Sequence, residues 1–347
     1  MAKKKIMAAI SGGIDSLVAA FLLKEKFDVK GIHFFTGYEQ DSRKHIKSKI
    51  IEMCDQINIS ADFLDISDFF EKNIVRYFTK SYLTGQTPNP CLKCNSLVKF
   101  GLLQDYAEKT GFEKIATGHY VRTSKDEEGN IFILKGKDKK KDQSYFLSMV
   151  KQEHLAKTIF PLGELEKENI FKIAEQNNLI PVEKKESQDI CFIKNKKYSQ
   201  FLKKNRSFKL KQGKIFNSSG KEIGSHNGIQ NFTIGQRKGI NCPGPQAYYV
   251  LGIYPDENKI IVGPKNELFT DKLFIGNMNW FKYPKKFPYF AEIKIRYSHL
   301  PQKASIIKIS DNEYMGRFQD PVSSVTPGQG AVIYEQDIIT GAGFILK

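Results

Sequence analysis

Two adjacent glycines in the segment Ser11-Gly12-Gly13-Ile14-Asp15-Ser16 limit how this 347-residue chain can fold. Residues 5–10 form a short apolar run typical of a buried strand, and residues 17–26 have the apolar spacing of a helix. A glycine-rich turn between a strand and a helix exposes backbone N–H groups, and the helix dipole attracts anions to that end. The sequence therefore predicts a strand, loop and helix unit that binds a phosphate group.

Strand and helix patterns continue to alternate after this unit. The predicted strands are residues 29–35, 61–66 and 114–117, and the predicted helices are residues 45–57 and 97–109. Alternation of this kind is typical of a parallel sheet covered by helices on both faces. We therefore expect an α/β doubly wound N-terminal domain.

Beyond residue 213, helical periodicity gives way to short β-rich runs separated by glycine, asparagine and proline. Residues 291–297 alternate with a period of two, as a strand with one wet face does, and residues 331–334 and 343–346 resemble a closing hairpin. We expect two small, mainly β domains here, the last of them barrel-like. The predicted domains are a catalytic domain at 1–205, a central domain at 206–268 and a C-terminal domain at 269–347.

Positive charge indicates a polyanionic partner. The chain has 54 lysines and arginines against 38 acidic residues, a formal charge of +16. Residues 194–214 contain nine of the basic residues, no acidic residue, and three interleaved aromatic residues. Such a stretch can bind a phosphate backbone and stack on bases. A solvated helix face is the alternative interpretation, and the pattern alone leaves both open.

The apolar stretch near the start ends at Ser11, which is too short for a membrane-directed segment, and no run of about 18 apolar residues occurs. We expect a cytoplasmic protein with no membrane association. Five cysteines form an odd, sparse set that favours reduced thiols over a disulfide framework. Cys54 lies on an apolar helix face and Cys242 in a glycine-proline loop, which indicates structural roles for both.

Cys91 and Cys94 follow the proline-punctuated segment Thr87-Pro88-Asn89-Pro90 and immediately precede a predicted helix. A helix N-terminus stabilises thiolates, and this position predicts that the pKa of each thiol lies below about 8.5. The pattern thus predicts nucleophilic cysteines at neutral pH. Cys191 lies far away in sequence and would alone be interpreted as a core cysteine.

The glycine loop is neither the Gly-x-x-x-x-Gly-Lys-Ser/Thr loop of kinases and GTPases nor a Gly-x-Gly-x-x-Gly dinucleotide loop. It resembles the SGGxDS signature of N-type ATP pyrophosphatases (the PP-loop enzymes), which cleave ATP between the α and β phosphates. Nearly the whole chain is similar to the bacterial tRNA-specific 2-thiouridylase family, MnmA or TrmU. The motifs that carry this resemblance are SGGIDS at 11–16, TPNP and CN at 87–95, ATGHY at 116–120, KDQSYFL at 141–147, ICFI at 190–193, TIGQRKG at 233–239, RY at 296–297 and TPGQ at 326–329.

The resemblance implies ATP-dependent 2-thiolation of the wobble uridine in tRNAs for lysine, glutamate and glutamine. ATP would adenylate the C2 carbonyl of the uracil, releasing pyrophosphate, and sulfur would then displace AMP. A persulfide on Cys191, loaded by an upstream sulfur-relay protein or cysteine desulfurase, would supply the sulfur. Cys94 would act as the partner nucleophile and form a disulfide with Cys191 that a reductant reopens.

The same resemblance assigns the other site residues. Asp15 would help to hold Mg²⁺ beside the leaving pyrophosphate. The residues implied in ATP binding are Ala9, Ile10, Ser11, Gly12, Gly13, Ile14, Asp15, Ser16, Phe34 and Gly118. Those implied in contacts with the tRNA or its flipped target base are Asn89, Pro90, Cys91, His119, Lys141, Asp142, Gln143, Arg296, Tyr297 and Gln329.

Many members of the family have aspartate at the position of Cys91. The cysteine here creates a set of three thiols, Cys91, Cys94 and Cys191, that could instead ligate an iron-sulfur cluster with one iron open to sulfide. An iron-sulfur-dependent tRNA thiolase is therefore one alternative. A different PP-loop adenylating ligase acting on a small molecule is another, although such an enzyme needs neither distant cysteines nor a basic connector.

Overall fold

A computed structural model of the chain describes residues 3–183, 190–193, 198–204, 211–244 and 246–346. The α-helices are α1 (Ile14–Lys24), α2 (Arg43–Asp55), α3 (Ser67–Phe70), α4 (Arg76–Leu83), α5 (Pro90–Cys94), α6 (Leu103–Lys109), α7 (Ser144–Leu147), α8 (Gln152–Ala156), α9 (Lys167–Gln176) and α10 (Tyr198–Lys204). Wider π-helical segments occur at Glu71–Val75 and Asn95–Leu102, and 3₁₀ turns at Ile229–Asn231 and Lys265–Leu268.

The strands cluster in the first 160 residues and again after residue 212. They are β1 (Lys5–Ala9), β2 (Asp28–Phe35), β3 (Ala61–Asp65), β4 (Lys114–Ala116), β5 (Val121–Lys125), β6 (Ile131–Lys135), β7 (Thr158–Ile159), β8 (Gly213–Asn217), β9 (Glu222–His226), β10 (Tyr249–Tyr254), β11 (Lys259–Gly263), β12 (Phe269–Trp280), β13 (Tyr289–Lys294), β14 (Gln302–Lys308), β15 (Glu313–Ser323), β16 (Gly330–Glu335) and β17 (Ile338–Ile345).

The N-terminal domain is built on a parallel sheet in which the described strands follow the order β3-β2-β1-β4-β7. Ile6, Met7 and Ala8 of the central strand are buried, as a strand covered on both faces requires. Leu17 and Val18 of α1 are fully buried in the same core. The predicted α/β doubly wound domain is confirmed.

The strand order reverses between β1 and β4, because β2 and β3 continue on one side of β1 and β7 lies beyond β4. In open α/β sheets, ligands gather at the carboxyl ends of the strands beside such a reversal. The glycine loop follows β1 and the Thr117-Gly118-His119 segment follows β4. The fold therefore brings these two motifs to the position where a ligand is expected.

The C-terminal strands form two separate sheets, which confirms the predicted pair of small β domains. One sheet has the order β10-β11-β8-β9, around a core that includes Ile215, Val250 and Ile260. The other follows the order β12-β15-β14-β13-β16-β17 and closes through pairing of β12 with β17. Its interior contains Ile293 and Ile333, so the last domain is a closed barrel.

By their internal contacts, the residues divide into two compact units. Unit 1 consists of Met1–Ile74, Cys91–Phe192 and Asp337–Thr340, and unit 2 of Val75–Pro90, Ile193–Gln336 and Gly341–Lys347. In unit 1, Ile338 pairs with Leu134 of the β5–β6 hairpin. Within the predicted basic connector, Tyr198–Lys204 forms α10, whereas residues 194–197 and 205–210 lie outside the described residues. Across the described ranges, no helix is long and apolar enough to cross a bilayer.

Candidate functional site

The glycine loop of unit 1 is shaped by the hydroxyl of Ser16. This hydroxyl donates to the Gly13 carbonyl oxygen at 2.8 Å and accepts from the Ser11 backbone N–H at 3.2 Å. Gly12 has φ +95°, a left-handed conformation that favours glycine. The loop is thereby held as a tight turn at the N-terminus of α1, with Gly13 as the residue that caps the helix.

Asp15, in the first turn of α1, belongs to a network of charged and polar groups. Lys167 Nζ donates to both carboxylate oxygens of Asp15, at 2.8 and 2.9 Å, and the Tyr120 hydroxyl donates to Oδ1 at 2.5 Å. Lys167 is only 6% exposed. A buried cation from α9 therefore lies beside the loop, and Asp15 has a fixed orientation.

Lys167 was not among the predicted site residues, although its position in the sequence carried one signal. Lys167 is the first residue of α9, where the helix dipole disfavours a cation. A lysine at that position needs a compensating acid from elsewhere in the fold, and such a partner, here Asp15, cannot be identified from local sequence.

Gly118 approaches the loop so closely that a side chain would not fit. A Cβ atom at Gly118 would lie 2.9 Å from the carbonyl carbon and oxygen of Asp15 and 3.1 Å from Ser16 N. On the other side of β1, His33 Nδ1 lies 2.8 Å from the Ile10 carbonyl oxygen, which fixes the end of β2 beside the loop. Phe34, the next residue of β2, is half-buried. The structure thus places all of the predicted ATP-binding residues around one sheet edge.

Cys91 and Cys94 lie in α5, and the chain continues without a break into the π-helical segment Asn95–Leu102 and then α6. The predicted single helix at 97–109 therefore has a wide first half, in which the Leu103 N–H donates to Val98 five residues earlier. π-Helical turns occur frequently at functional sites. The buried Asn95 side chain donates a hydrogen bond to the Phe146 carbonyl oxygen at 2.9 Å. This bond links the residue that follows Cys94 to the KDQSYFL motif.

The thiol pKa values contradict the sequence-based expectation. Burial raises the pKa of Cys94 to about 12 and also raises that of Cys91. The ammonium group of Lys99 lowers the pKa of both thiols, but burial has the larger effect. The prediction of a lowered pKa was wrong because it counted the helix dipole and omitted desolvation, which disfavours the charged thiolate.

Cys191 lies near the other two cysteines, since its charge raises the pKa of both Cys91 and Cys94. It is exposed, whereas the next residue, Phe192, is buried against the rings of Tyr38 and Phe70 at centroid distances of 5.8 Å. Phe192 therefore anchors the ICFI segment while Cys191 remains accessible. No disulfide joins any of the five cysteines, all of which belong to the described part of the chain.

His119 is buried and neutral, because desolvation lowers its pKa well below 6.5. Its Nδ1 lies 2.9 Å from Thr117 Oγ1, and its Nε2 lies 3.5 Å from Lys99 Nζ. The histidine therefore links the segment after β4 to the helix that carries the cysteines. A direct contact of His119 with tRNA stays a prediction.

The Lys141-Asp142-Gln143 segment is largely engaged in internal hydrogen bonds. The buried Asp142 carboxylate accepts from the backbone N–H of Gly136 and Ser144, each at 3.0 Å. Gln143 Oε1 accepts from the Tyr120 N–H at 2.9 Å. Asp142 and Gln143 thus hold this segment against the ATGHY motif, and their predicted contacts with tRNA remain untested.

In unit 2, Arg296 and Tyr297 lie just beyond β13, which ends at Lys294 and not at residue 297 as predicted. Arg296 Nη2 donates to Ile234 O at 3.1 Å and also to Thr326 Oγ1. Tyr297 is 40% exposed, and the Lys294 ammonium lies 5.4 Å from the centre of its ring. An exposed aromatic ring beside a cation suits stacking on a base.

Three family models match the chain in sequence order. They are described as a tRNA methyl transferase HUP domain at residues 4–195, a tRNA methyl transferase PRC-barrel domain at 199–264 and an aminomethyltransferase beta-barrel domain at 270–345. A protein named tRNA-specific 2-thiouridylase MnmA from Desulfosudis oleivorans is 40% identical over 341 residues, covering 98% of this chain and 94% of the relative. The chain belongs to the tRNA-specific 2-thiouridylase family.

A second 2-thiouridylase, from Geotalea uraniireducens, is 38% identical over 359 residues, covering 99% of this chain and 95% of its own length. Among solved structures, an NH₃-dependent NAD synthetase from Campylobacter jejuni has a TM-score of 0.31 and 18% identity, covering 52% of this chain and 66% of its own. That likeness is too weak to bear on the fold.

The pKa of Cys94 predicts how this thiol reacts with an alkylating agent. Because the thiolate fraction falls about tenfold for each pH unit below the pKa, the rate of Cys94 alkylation by iodoacetamide rises steadily from about pH 7 to about pH 10. Lys99→Met slows the reaction at each pH, because its ammonium lowers the pKa of this thiol. Residue-resolved mass spectrometry measures both rates, and a plateau below about pH 8 would contradict the burial of the thiol.

Proposed function

We propose that this protein is an ATP-dependent tRNA-uridine 2-sulfurtransferase that replaces the C2 oxygen of the wobble uridine by sulfur. One observation carries the proposal. Cys91, Cys94 and Cys191 influence one another electrostatically within the same unit that holds the SGGIDS loop. Family membership supports it, because relatives of nearly the same length are named for this activity.

In the proposed first half-reaction, the loop around Ser16 binds the phosphates of ATP, and the uracil C2 oxygen attacks the α-phosphorus. Pyrophosphate leaves and an adenylated uridine forms. The N-terminus of α1 and the Lys167 ammonium beside Asp15 supply positive potential at this end of the sheet. Adenylation is needed because a carbonyl oxygen is a poor leaving group.

In the second half-reaction, the terminal sulfur of a Cys191 persulfide attacks C2, and AMP leaves. Cys94 Sγ then attacks Cys191 Sγ, which forms the Cys94–Cys191 disulfide and leaves the transferred sulfur on the uridine. An external thiol reductant provides two electrons to regenerate both thiols. The exposure of Cys191 supports its role as the residue that accepts sulfur from a relay protein or cysteine desulfurase.

The described residues do not form a resident metal centre. No three His, Cys, Asp or Glu side chains within the described ranges are grouped to hold a metal ion, and this includes the three cysteines. The Asp15 oxygens already accept hydrogen bonds from Lys167 and Tyr120. We therefore propose that Mg²⁺ enters with ATP, coordinated largely by phosphate oxygens, and that sulfur is carried as a persulfide.

The proposed partners are the tRNAs for lysine, glutamate and glutamine and an upstream sulfur donor, in the cytoplasm where tRNA is modified. The target base would leave its stack and meet Asn89, Pro90 and Cys91, since C2 is not accessible within stacked bases. We also propose that the catalytic domain spans residues 1–205, the central domain 206–268 and the C-terminal domain 269–347.

Deleting the gene tests the function directly. We expect the 2-thiouridine nucleosides in digests of bulk tRNA to disappear from liquid chromatography and mass spectrometry traces, and a plasmid copy to restore them. A plasmid copy carrying Cys191→Ser serves as the matched negative control. An unchanged thiouridine signal in the deletion strain, or loss of a methylated nucleoside instead, would overturn the proposal.

A further inference from the structure

Residues 84–90, here called the 84–90 loop, run from the end of α4 to Pro90, the first residue of α5 and the residue before Cys91. A segment outside regular structure must find partners for its backbone polar groups. The Thr87 N–H donates to the Pro327 carbonyl oxygen at 2.9 Å, and the Asn89 N–H donates to that of Gly328 at 3.4 Å. The loop therefore lies along the TPGQ turn of the barrel within unit 2.

Gln329 completes this contact with its side chain. Its Nε2 donates to the Thr87 carbonyl oxygen at 2.8 Å. The turn itself is rigidly held by β17, because the Gly328 N–H donates to Ile345 O and the Ile345 N–H donates to Gln329 O, each at 2.9 Å. A Cβ atom at Gly328 would lie 3.1 Å from Thr87 O, so the two backbones are in close contact.

Two further side chains fix the turn and the loop. The half-buried Arg296 guanidinium donates hydrogen bonds to Thr326 Oγ1, at the start of the turn, and to the Ile234 carbonyl oxygen of the TIGQRKG motif. Thr233, the neighbour of Ile234, accepts a hydrogen bond from Thr87 Oγ1 at 3.2 Å. Segments from the central domain and the barrel thus converge on Thr87.

We propose that Gln329 and Arg296 are positioning residues that hold the 84–90 loop, with Gln329 acting through the Thr87 carbonyl oxygen. The inference rests on the proposed function, in which Asn89 at the end of this loop meets the target base. A small displacement of a reacting group can lower a rate by about 10²-fold, so an anchored loop preorganises the segment that meets the base.

The test is Gln329→Met, which keeps the length and neutrality of the side chain but removes its donor. Peptides covering residues 84–92 should exchange amide hydrogens about fivefold faster, as expected for the loss of one hydrogen bond. The thiolation rate at saturating tRNA and ATP should fall about tenfold or more, which a loss of tRNA affinity alone would not produce. Gln302→Met, at an exposed position of β14, is the matched control and should change none of these.

Several outcomes would overturn the inference. These are weaker tRNA binding without faster exchange, unchanged exchange, or faster exchange with an unchanged rate. If Gln329→Met does not fold, Gln329→Asn replaces it, because its shorter amide falls short of Thr87 O and should produce the same pattern. Wild-type protein that makes no 2-thiouridine would refute the proposed function instead, and the exchange measurement would still report on the anchor.

Discussion

Serine at position 94 or 191 abolishes 2-thiouridine formation, lowering the rate by at least about 10³-fold, which corresponds to about 4 kcal/mol of lost transition-state stabilisation. A hydroxyl group can neither carry a persulfide nor form the disulfide that releases the sulfur. Because ATP cleavage occurs in the half-reaction before sulfur transfer, tRNA-dependent pyrophosphate release should continue for at least one turnover. Single-turnover assays with radiolabelled ATP and thiol-specific gel separation of tRNA measure the two steps separately.

Cys242→Ser is the matched control for these variants, because Cys242 is half-buried in unit 2 and takes no part in the proposed chemistry. It should retain full thiolation activity. Residual thiolation in Cys94→Ser near the wild-type rate would exclude the disulfide step. The same result in Cys191→Ser would show that sulfur reaches the uridine by another route.

Lys167→Met removes the buried ammonium that bonds both oxygens of Asp15. Breaking a fully buried ion pair costs about 3–5 kcal/mol, but the Asp15 side chain is 31% exposed, so we expect about 1–2 kcal/mol of lost unfolding free energy. tRNA-dependent AMP formation should fall about 10²-fold, since the preorganised cation beside the phosphate loop is lost. Urea denaturation and AMP release measure these effects.

The double variant Asp15→Asn/Lys167→Met separates the two contributions. It removes the unpaired carboxylate, so stability should recover toward the wild-type value while AMP formation stays low. Lys172→Met, at an exposed position of the same helix, is the control and should change neither property. A Lys167→Met protein with wild-type stability and wild-type AMP formation would contradict the assigned role.

Local sequence patterns were sufficient to predict the strand, glycine loop and helix at the start of the chain. Strand, glycine loop and helix occur within 24 residues, and the buried strand β1 and the helix α1 formed where the apolar spacing indicated. The β-rich second half was predictable for the same reason, because alternation with a period of two and turn residues are local signals. Closure of the barrel through β12 and β17 depends on pairing between distant residues, and only its barrel-like character was predicted.

The interactions of individual site residues depend on tertiary packing, and here the sequence was insufficient. Lys167 lies 152 residues from Asp15, and Gln329 lies 242 residues from Thr87. The raised pKa of Cys94 likewise results from burial in the folded protein, which the helix position alone could not reveal. Motifs that were individually assigned to ATP or tRNA therefore also hold one another in place.

Reconstituted thiolation under anaerobic conditions distinguishes ATP-dependent persulfide transfer from cluster-dependent transfer. Purified enzyme, unmodified tRNA, ATP and a small-molecule persulfide donor are combined, and 2-thiouridine, AMP, pyrophosphate and bound iron are quantified together. Iron-free enzyme should form 2-thiouridine with one AMP and one pyrophosphate for each sulfur transferred. Thiolation that occurs only after iron and sulfide are loaded onto Cys91, Cys94 and Cys191, or that proceeds without ATP cleavage, would contradict this expectation.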